Sequence, residues 1–179
     1  MIPTPGLQAP FNALSSVTGD PDRTLYVGTV KGLVYTTDFG ATWQRFHRGP
    51  EDMPIKSIVQ DPRDPKLVYV GTRGYFYKSD DGGRSWKKRG GGLPAGDITI
   101  VALDSANPDV IYAADYQIGG VFRSRNRGED WVRLDAGLPS PRVWTLATDP
   151  FDSGRIYAGS FSGGVYVLTT NPQTAMETN

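Results

Sequence analysis

Three stretches of the sequence combine carboxylate, hydroxyl and glycine residues at one spacing, a combination that binds phosphate, binds calcium or closes a turn. We name them box 1 (Thr36–Trp43, "TTDFGATW"), box 2 (Ser79–Trp86, "SDDGGRSW") and box 3 (Ser124–Trp131, "SRNRGEDW"). A phosphate loop needs a helix after its glycines, and no helical period follows these. A calcium loop needs more oxygen ligands, and box 3 carries Asn126 and Asp130 where box 2 carries Asp and Ser. The boxes are therefore interpreted as hairpin turns.

The residues assigned to turn closure share the pattern of hydroxyl, Asp or Asn, Gly and Trp. They are Thr36, Asp38, Gly40, Trp43, Ser79, Asp81, Gly83, Trp86, Ser124, Asn126, Gly128 and Trp131. The short polar side chains accept hydrogen bonds from N–H groups of the turn, and the glycine takes a backbone angle that other residues resist. Each Trp ring is expected to pack against a sheet.

A longer repeat surrounds the boxes. The acids that begin the preceding turns, Asp20, Asp61, Asp104 and Asp149, are 41, 43 and 45 residues apart. Each unit has room for four short strands, lettered A to D, of which A and B are nearly all apolar or small while C and D alternate. Four-stranded sheets that recur about every 40 to 50 residues are typical of a β-propeller.

The sequence thus predicts an all-β chain of four-stranded antiparallel propeller blades, with four repeats. One domain is predicted over residues 1–170, with blades near 11–48, 54–90, 98–135 and 142–170 and a frayed tail over 171–179. The last unit has no box, no Trp after strand C and no strand D. A four-bladed ring closed by the N-terminus, a homodimer with shared blades and a propeller with further blades elsewhere all remain open.

The pattern "SxDxGxSW" after "YVGT" resembles the Asp-box (BNR) repeat propellers. That superfamily includes sialidases, xyloglucanase-type glycoside hydrolases, sortilin-like receptors and photosystem II assembly factors. The resemblance covers residues 11 to 170, implies the fold, and favours an extracytoplasmic location, although no signal peptide is visible. It also implies that a ligand site lies on the face formed by the B–C turns and D–A linkers, away from the boxes.

That face varies between the units, which favours it for function because shared positions serve the fold. One aligned position early in strand A holds Ser15, Lys56, Thr99 and Trp144. Aromatic rings with a few charges suit a sugar or a peptide. The predicted ligand-binding residues are Arg73, Tyr75, Tyr116, Arg142, Trp144 and Phe161.

Asp115 is the candidate catalytic residue, because the other units hold Thr29, Thr72 and Ser160 at its position. The segment "ADYQIGG" resembles the Thr-Asp-x-Gly-Gly segment that carries a catalytic Asp in xyloglucanase-type hydrolases, with two extra residues in the turn. A glycosidase needs a second carboxylate, for which Asp97, Glu51 and Asp52 are the candidates, Asp97 first. The alternative, which we favour, is that Asp115 caps a turn or pairs with an arginine. No arginine triad or Arg-Ile-Pro segment supports a sialidase.

Composition excludes several further classes. Lysine plus arginine equals aspartate plus glutamate at 19 each, so bulk charge does not favour nucleic acid. The chain has no cysteine, and its single histidine, His47, has no partner for a metal site. No run is long enough for a membrane span. The expected function is therefore a non-catalytic module that binds a protein or a carbohydrate without a cofactor or metal; the alternative is part of a xyloglucanase-type hydrolase.

Overall fold

The computed structural model describes residues 11–16, 24–46, 49–134, 138 and 140–170. His47 and the tail predicted over 171–179 lie outside these residues. The chain divides into two compact units, residues 1–89 and 90–179. Within the described part, all regular structure is β-strand, and no helix has the length and hydrophobicity of a membrane span.

The first unit contains two four-stranded antiparallel sheets, each with its strands in chain order. Blade 1 consists of β1 (Phe11–Ser16), β2 (Leu25–Thr29), β3 (Gly32–Thr36) and β4 (Gln44–Arg45). Blade 2 consists of β5 (Ile55–Asp61), β6 (Asp64–Thr72), β7 (Phe76–Ser79) and β8 (Lys87–Arg89). Boxes 1 and 2 join the third strand of each blade to the fourth.

The second unit contains a four-stranded and a three-stranded antiparallel sheet. Blade 3 consists of β9 (Ile98–Leu103), β10 (Ile111–Asp115), β11 (Gly120–Ser124) and β12 (Val132–Arg133). Blade 4 consists of β13 (Val143–Thr148), β14 (Arg155–Ser160) and β15 (Gly164–Thr169). The predicted all-β class, with four antiparallel blades of which the last lacks its outer strand, is confirmed.

Each blade has an irregularity near the start of its first strand, where one residue is skipped in the pairing with the second strand. The skipped residues are Asn12, Lys56, Thr99 and Trp144. A bulge of this kind redirects a side chain without breaking the rest of the ladder. The predicted alignment of Ser15 with the other three is wrong, because Ser15 pairs with Tyr26 further along the strand and Asn12 occupies the equivalent position.

Apolar side chains on facing sheets form the core of each unit. In the first unit, Ile55 and Ile58 of blade 2 pack with Tyr26 and Leu33 of blade 1. The edge-to-face contact of Phe46 with Trp86, at 5.8 Å between ring centroids, extends this core to box 2. Each aliphatic side chain buried in this way contributes about 1.5 to 3 kcal/mol.

The second unit repeats this arrangement. Val143 and Leu146 of blade 4 pack with Tyr112 and Val121 of blade 3. Val165 holds the register position in blade 4 that Val121 holds in blade 3. Val121 is fully buried, whereas Val165 is 74% exposed. The sheet face that blade 3 buries at this position is therefore exposed in blade 4.

Side-chain hydrogen bonds close boxes 1 and 2 in the same way. In box 2, the Ser79 hydroxyl donates to Asp81 Oδ1 at 2.8 Å and accepts from the Gly83 N–H at 2.7 Å. Asp81 accepts from the Ser85 N–H at 2.8 Å and from the Ser85 hydroxyl at 2.6 Å. Thr36, Asp38, Gly40 and Thr42 form the equivalent bonds in box 1. Internal donors therefore occupy both carboxylate oxygens of each box.

Box 3 keeps this geometry although its chemistry is different. Asn126 Oδ1 accepts from the Ser124 hydroxyl at 2.9 Å and from the Asp130 N–H at 2.9 Å. The last bond runs in the opposite direction, because Asn126 Nδ2 donates to Asp130 Oδ2 at 3.0 Å. The third residue of a box must therefore accept from the N–H of the seventh residue, and the two side chains must form one hydrogen bond with each other. Asp with a hydroxyl and Asn with a carboxylate both meet this requirement.

Replacing Ser79 with Ala is expected to destabilise the chain by about 1 to 3 kcal/mol, because the buried N–H of Gly83 loses its acceptor. Urea unfolding followed by tryptophan fluorescence measures the loss. Ser85→Ala is the matched control, since its hydroxyl is exposed, and it should cost less than about 1 kcal/mol. Equal losses for the two variants would contradict the assignment.

Acid should weaken box 1. Hydrogen bonds from the Thr42 hydroxyl, the Thr42 N–H and the Thr36 hydroxyl lower the pKa of Asp38 from 3.8 to about 2. Because the pKa in the folded chain is below that of the unfolded chain, this stabilisation is complete above pH 3.8 and disappears as the pH falls through about 2. Carboxyl ¹³C NMR should show this titration, and Thr42→Val should move the midpoint upward. A midpoint near 3.8 in the unmodified chain would refute the prediction.

Candidate functional site

Three aromatic side chains meet on the surface of the second unit. Tyr116 follows β10, Trp144 lies in β13 and Phe161 follows β14. The Tyr116 ring centroid lies 5.2 Å from that of Trp144 and 6.0 Å from that of Phe161, and both contacts are edge-to-face. Trp144 and Phe161 are 57% and 70% exposed. With Arg142, these residues form what we call the aromatic surface.

Arg142 adds a positive charge to this surface. Its Cζ lies 5.8 Å from the Tyr116 ring centroid, within the range of a cation–π contact. Its backbone carbonyl accepts a hydrogen bond from the Phe161 N–H at 3.1 Å. The arginine and the two rings beside it are therefore held together by backbone as well as side-chain contacts.

Backbone hydrogen bonds fix the turns that carry the rings. The Tyr116 N–H donates to the Asp97 carbonyl at 3.0 Å, and the Gly120 N–H donates to the Pro141 carbonyl at 2.8 Å. These bonds connect the β10–β11 turn to the segments before β9 and β13. Trp144 occupies the bulge of β13, which directs its ring outward while Val143 beside it is fully buried. The rings are thus presented by an ordered backbone.

Asp115 lies beneath this surface and is fully buried. Its Oδ1 accepts hydrogen bonds from the Ile118 N–H at 2.6 Å and the Gly119 N–H at 3.2 Å. A side chain at Gly96 would overlap the Asp115 carboxylate, so the backbone there covers it. The geometry is that of a carboxylate that caps the β10–β11 turn, and Asp97 contributes its backbone carbonyl to the same turn.

The remaining predicted ligand residues, Arg73 and Tyr75, belong to the first unit. Arg73 is exposed, and Tyr75 is 39% exposed. Lys88 Nζ lies 3.2 Å from the Tyr75 ring centroid, and Tyr77 contacts the same ring edge-to-face at 6.4 Å. The structure therefore brings together four of the six predicted residues in the second unit, whereas Arg73 and Tyr75 belong to the first unit.

Two residues at these surfaces were not predicted. Ile118 extends the β10–β11 turn and is 50% exposed close to Tyr116 in sequence. The sequence does indicate this residue, because the turn between the second and third strands is longer in blade 3 than in the other blades. Lys88 lies beside Tyr75 because Lys88 pairs with Tyr77 across β7 and β8, a register that the sequence pattern alone does not define. Among the described residues, no group of three or more His, Asp or Glu side chains is arranged to hold a metal ion.

Comparison with known proteins supports the repeat assignment. The BNR/Asp-box repeat family model matches residues 34–45 and 77–88, which contain boxes 1 and 2. Comparison with curated protein sequences gave no match.

Several solved structures share the fold. An ancestral GH74 enzyme is 21% identical with a TM-score of 0.75, over 89% of this chain and 24% of that one. The extracellular domain of a putative one component system from B. thetaiotaomicron is 18% identical with a TM-score of 0.69, over 90% and 21%. YCF48 bound to D1 peptide is 19% identical with a TM-score of 0.64, over 91% and 52%.

This chain therefore spans about a quarter of the length of the GH74 enzyme and about half of YCF48. At these identities the likeness concerns the fold, which is that of β-propeller blades. The matched boxes lie at the corners of those blades, between the third and fourth strands. The chain therefore contains two BNR/Asp-box repeats in a fold of β-propeller blades.

Proposed function

We propose that the chain is a non-catalytic propeller module that binds a protein segment or a glycan through the aromatic surface of its second unit. The observation that carries this proposal is the exposure of Trp144 and Phe161, at 57% and 70%, around a Tyr116 ring that contacts both. Large rings held in fixed positions bind ligands at low entropic cost. A peptide side chain or the apolar face of a sugar would stack on them.

The contrast between repeated and variable positions supports this site. The positions that recur between blades form the cores and, in the first three blades, the boxes, whose hydroxyl and carboxylate or amide groups are hydrogen-bonded internally. The aromatic surface uses positions that differ between the four blades: the bulge residue Trp144 corresponds to Asn12, Lys56 and Thr99. Residues with no role in the common fold are available for a ligand.

The fold comparison agrees with a binding role. YCF48, which shares the fold over 91% of this chain, was solved bound to a peptide. That observation concerns YCF48, and it supports the proposal here because this chain presents an aromatic and basic surface suited to the same kind of ligand. An extended peptide with an apolar and an acidic residue would match Trp144, Phe161 and Arg142.

Selection of ligands from a displayed dodecapeptide library, and titration with xyloglucan oligosaccharides, test this proposal. Phe161→Ala and Trp144→Ala should each weaken the binding of a selected ligand by about tenfold or more, as removal of a central aromatic side chain usually does. Isothermal titration calorimetry measures the affinities.

Phe151→Ala is the matched control, because Phe151 is 98% exposed in the β13–β14 turn, at the opposite end of β14 from Phe161. It should leave affinity unchanged. Ligands that bind the Phe161 and Trp144 variants as tightly as the unmodified chain would refute this site.

The second candidate function is that of part of a xyloglucanase-type hydrolase with Asp115 as a catalytic carboxylate. One observation favours it: Asp115 Oδ2 is buried without a hydrogen-bond partner among the described residues. The covered position of the carboxylate weighs against it, because a glycosidase carboxylate must reach the scissile bond.

Xyloglucan hydrolysis, measured by the release of reducing ends, separates the two functions. Under the binding function, the unmodified chain and Asp115→Asn release equally little, and Asn keeps the oxygen that accepts from Ile118 and Gly119. Under the hydrolase function, the unmodified chain is active and Asp115→Asn is slower by about 10² to 10⁴. Asp97→Asn tests the second carboxylate in the same assay.

A further inference from the structure

In the outer part of blade 2, a nearby carboxylate neutralises the charge of Lys78, a lysine in strand β7. Lys78 pairs with Tyr69 in the ladder and is only 8% exposed. Its Nζ lies 3.3 Å from Asp80 Oδ1, and Lys87 Nζ lies 3.0 Å from Asp80 Oδ2. One carboxylate, placed two residues after Lys78, therefore compensates two ammonium groups.

Blade 3 has the same register as blade 2, but a cation replaces the anion at the position of Asp80. Arg123 pairs with Tyr112, as Lys78 pairs with Tyr69, and Arg125 stands where blade 2 has Asp80. Within the described residues, neither arginine takes part in an ion pair, and the buried Nε of Arg123 has no hydrogen-bond partner. Burial lowers the pKa of Arg123, and the nearby charge of Arg125 lowers it further. The charge that blade 2 compensates internally is uncompensated here.

Both arginines line a cleft of about 470 Å³ within the second unit. Tyr112 of blade 3 and Ser153, Gly154 and Thr170 of blade 4 form other parts of its wall. The cleft is therefore large enough for a small ligand and contains hydroxyl groups as well as cations.

The carboxylates of this cleft are already engaged. Asp104 is 2% exposed and accepts from the Ala106 and Asn107 N–H groups and the Ser153 hydroxyl, all at 2.9 Å. Asp109 pairs with Arg127 at 2.7 Å. Among the described residues, Arg123 and Arg125 thus leave the cleft with two positive charges that no carboxylate pairs.

We propose that this cleft binds a dianionic tetrahedral oxyanion, a phosphate or sulfate group, between Arg123 and Arg125. Two guanidinium groups supply several N–H donors in fixed planes, the arrangement that suits oxyanions. The bound group would replace the missing Asp80 equivalent and give the Arg123 Nε–H an acceptor. This site is separate from the aromatic surface and does not depend on the function proposed there.

Titration with sodium sulfate or sodium phosphate tests the site by NMR of the arginine Nε–H groups, with sodium chloride at equal ionic strength as the reference. Sulfate and phosphate should shift the Arg123 signal saturably, and chloride should not. Arg125→Asp, which recreates the blade 2 arrangement at an exposed position, should weaken binding by about tenfold or more while the remaining spectrum is unchanged. Arg73→Asp, an exposed arginine of the first unit, is the control and should bind normally.

Arg125→Gln gives an independent measurement, since it removes the charge without adding an acceptor carboxylate and should also weaken binding. A response to chloride equal to that for sulfate and phosphate would overturn the proposal. Unchanged affinity in Arg125→Asp or Arg125→Gln would do the same, because the oxyanion would then not lie between the two arginines.

Discussion

Burial of apolar surface between neighbouring sheets is the constraint on which the rest of this structure depends. A sheet of three or four short strands has two faces and cannot cover either of them alone. Within each unit, the aliphatic pair at the start of one sheet, Ile55 and Ile58 or Val143 and Leu146, packs on the Tyr-bearing strand of the sheet before it. The chain therefore has to repeat, and each repeat has to present the same register of apolar side chains.

The boxes serve this constraint by closing the corner between the third and fourth strands. Their hydroxyl, carboxylate and backbone N–H groups satisfy one another. The buried indole N–H groups of Trp43 and Trp86 have no hydrogen-bond partner among the described residues. Trp86 and Gly83 of box 2 lie against Phe46 of blade 1. The exchange of Asp and hydroxyl for Asn126 and Asp130 in box 3 moves the single carboxylate from one position to the other while the hydrogen-bond pattern is kept.

Features that depend on local repetition were predictable, including the strands, the boxes and the three-stranded form of the last blade within the described residues. Features that depend on register were not. The blade 1 equivalent of Trp144 is Asn12 and not Ser15, because Asp20, on which the alignment rests, lies three residues further from the bulge of its strand than Asp61 does. The rings of the aromatic surface occupy positions that vary between the blades, which the sequence reveals. Their mutual contacts and the cover over Asp115 arise from hydrogen bonds between segments far apart in sequence.

The bulge also separates two kinds of position in the first strand of each blade. The skipped residue lies outside the regular ladder, whereas its neighbours Ile55, Ile98 and Val143 are fully buried. These skipped residues are Asn12, Lys56, Thr99 and Trp144. The first strand of each blade therefore carries side chains of different size, charge and polarity at its skipped position while its backbone keeps one geometry.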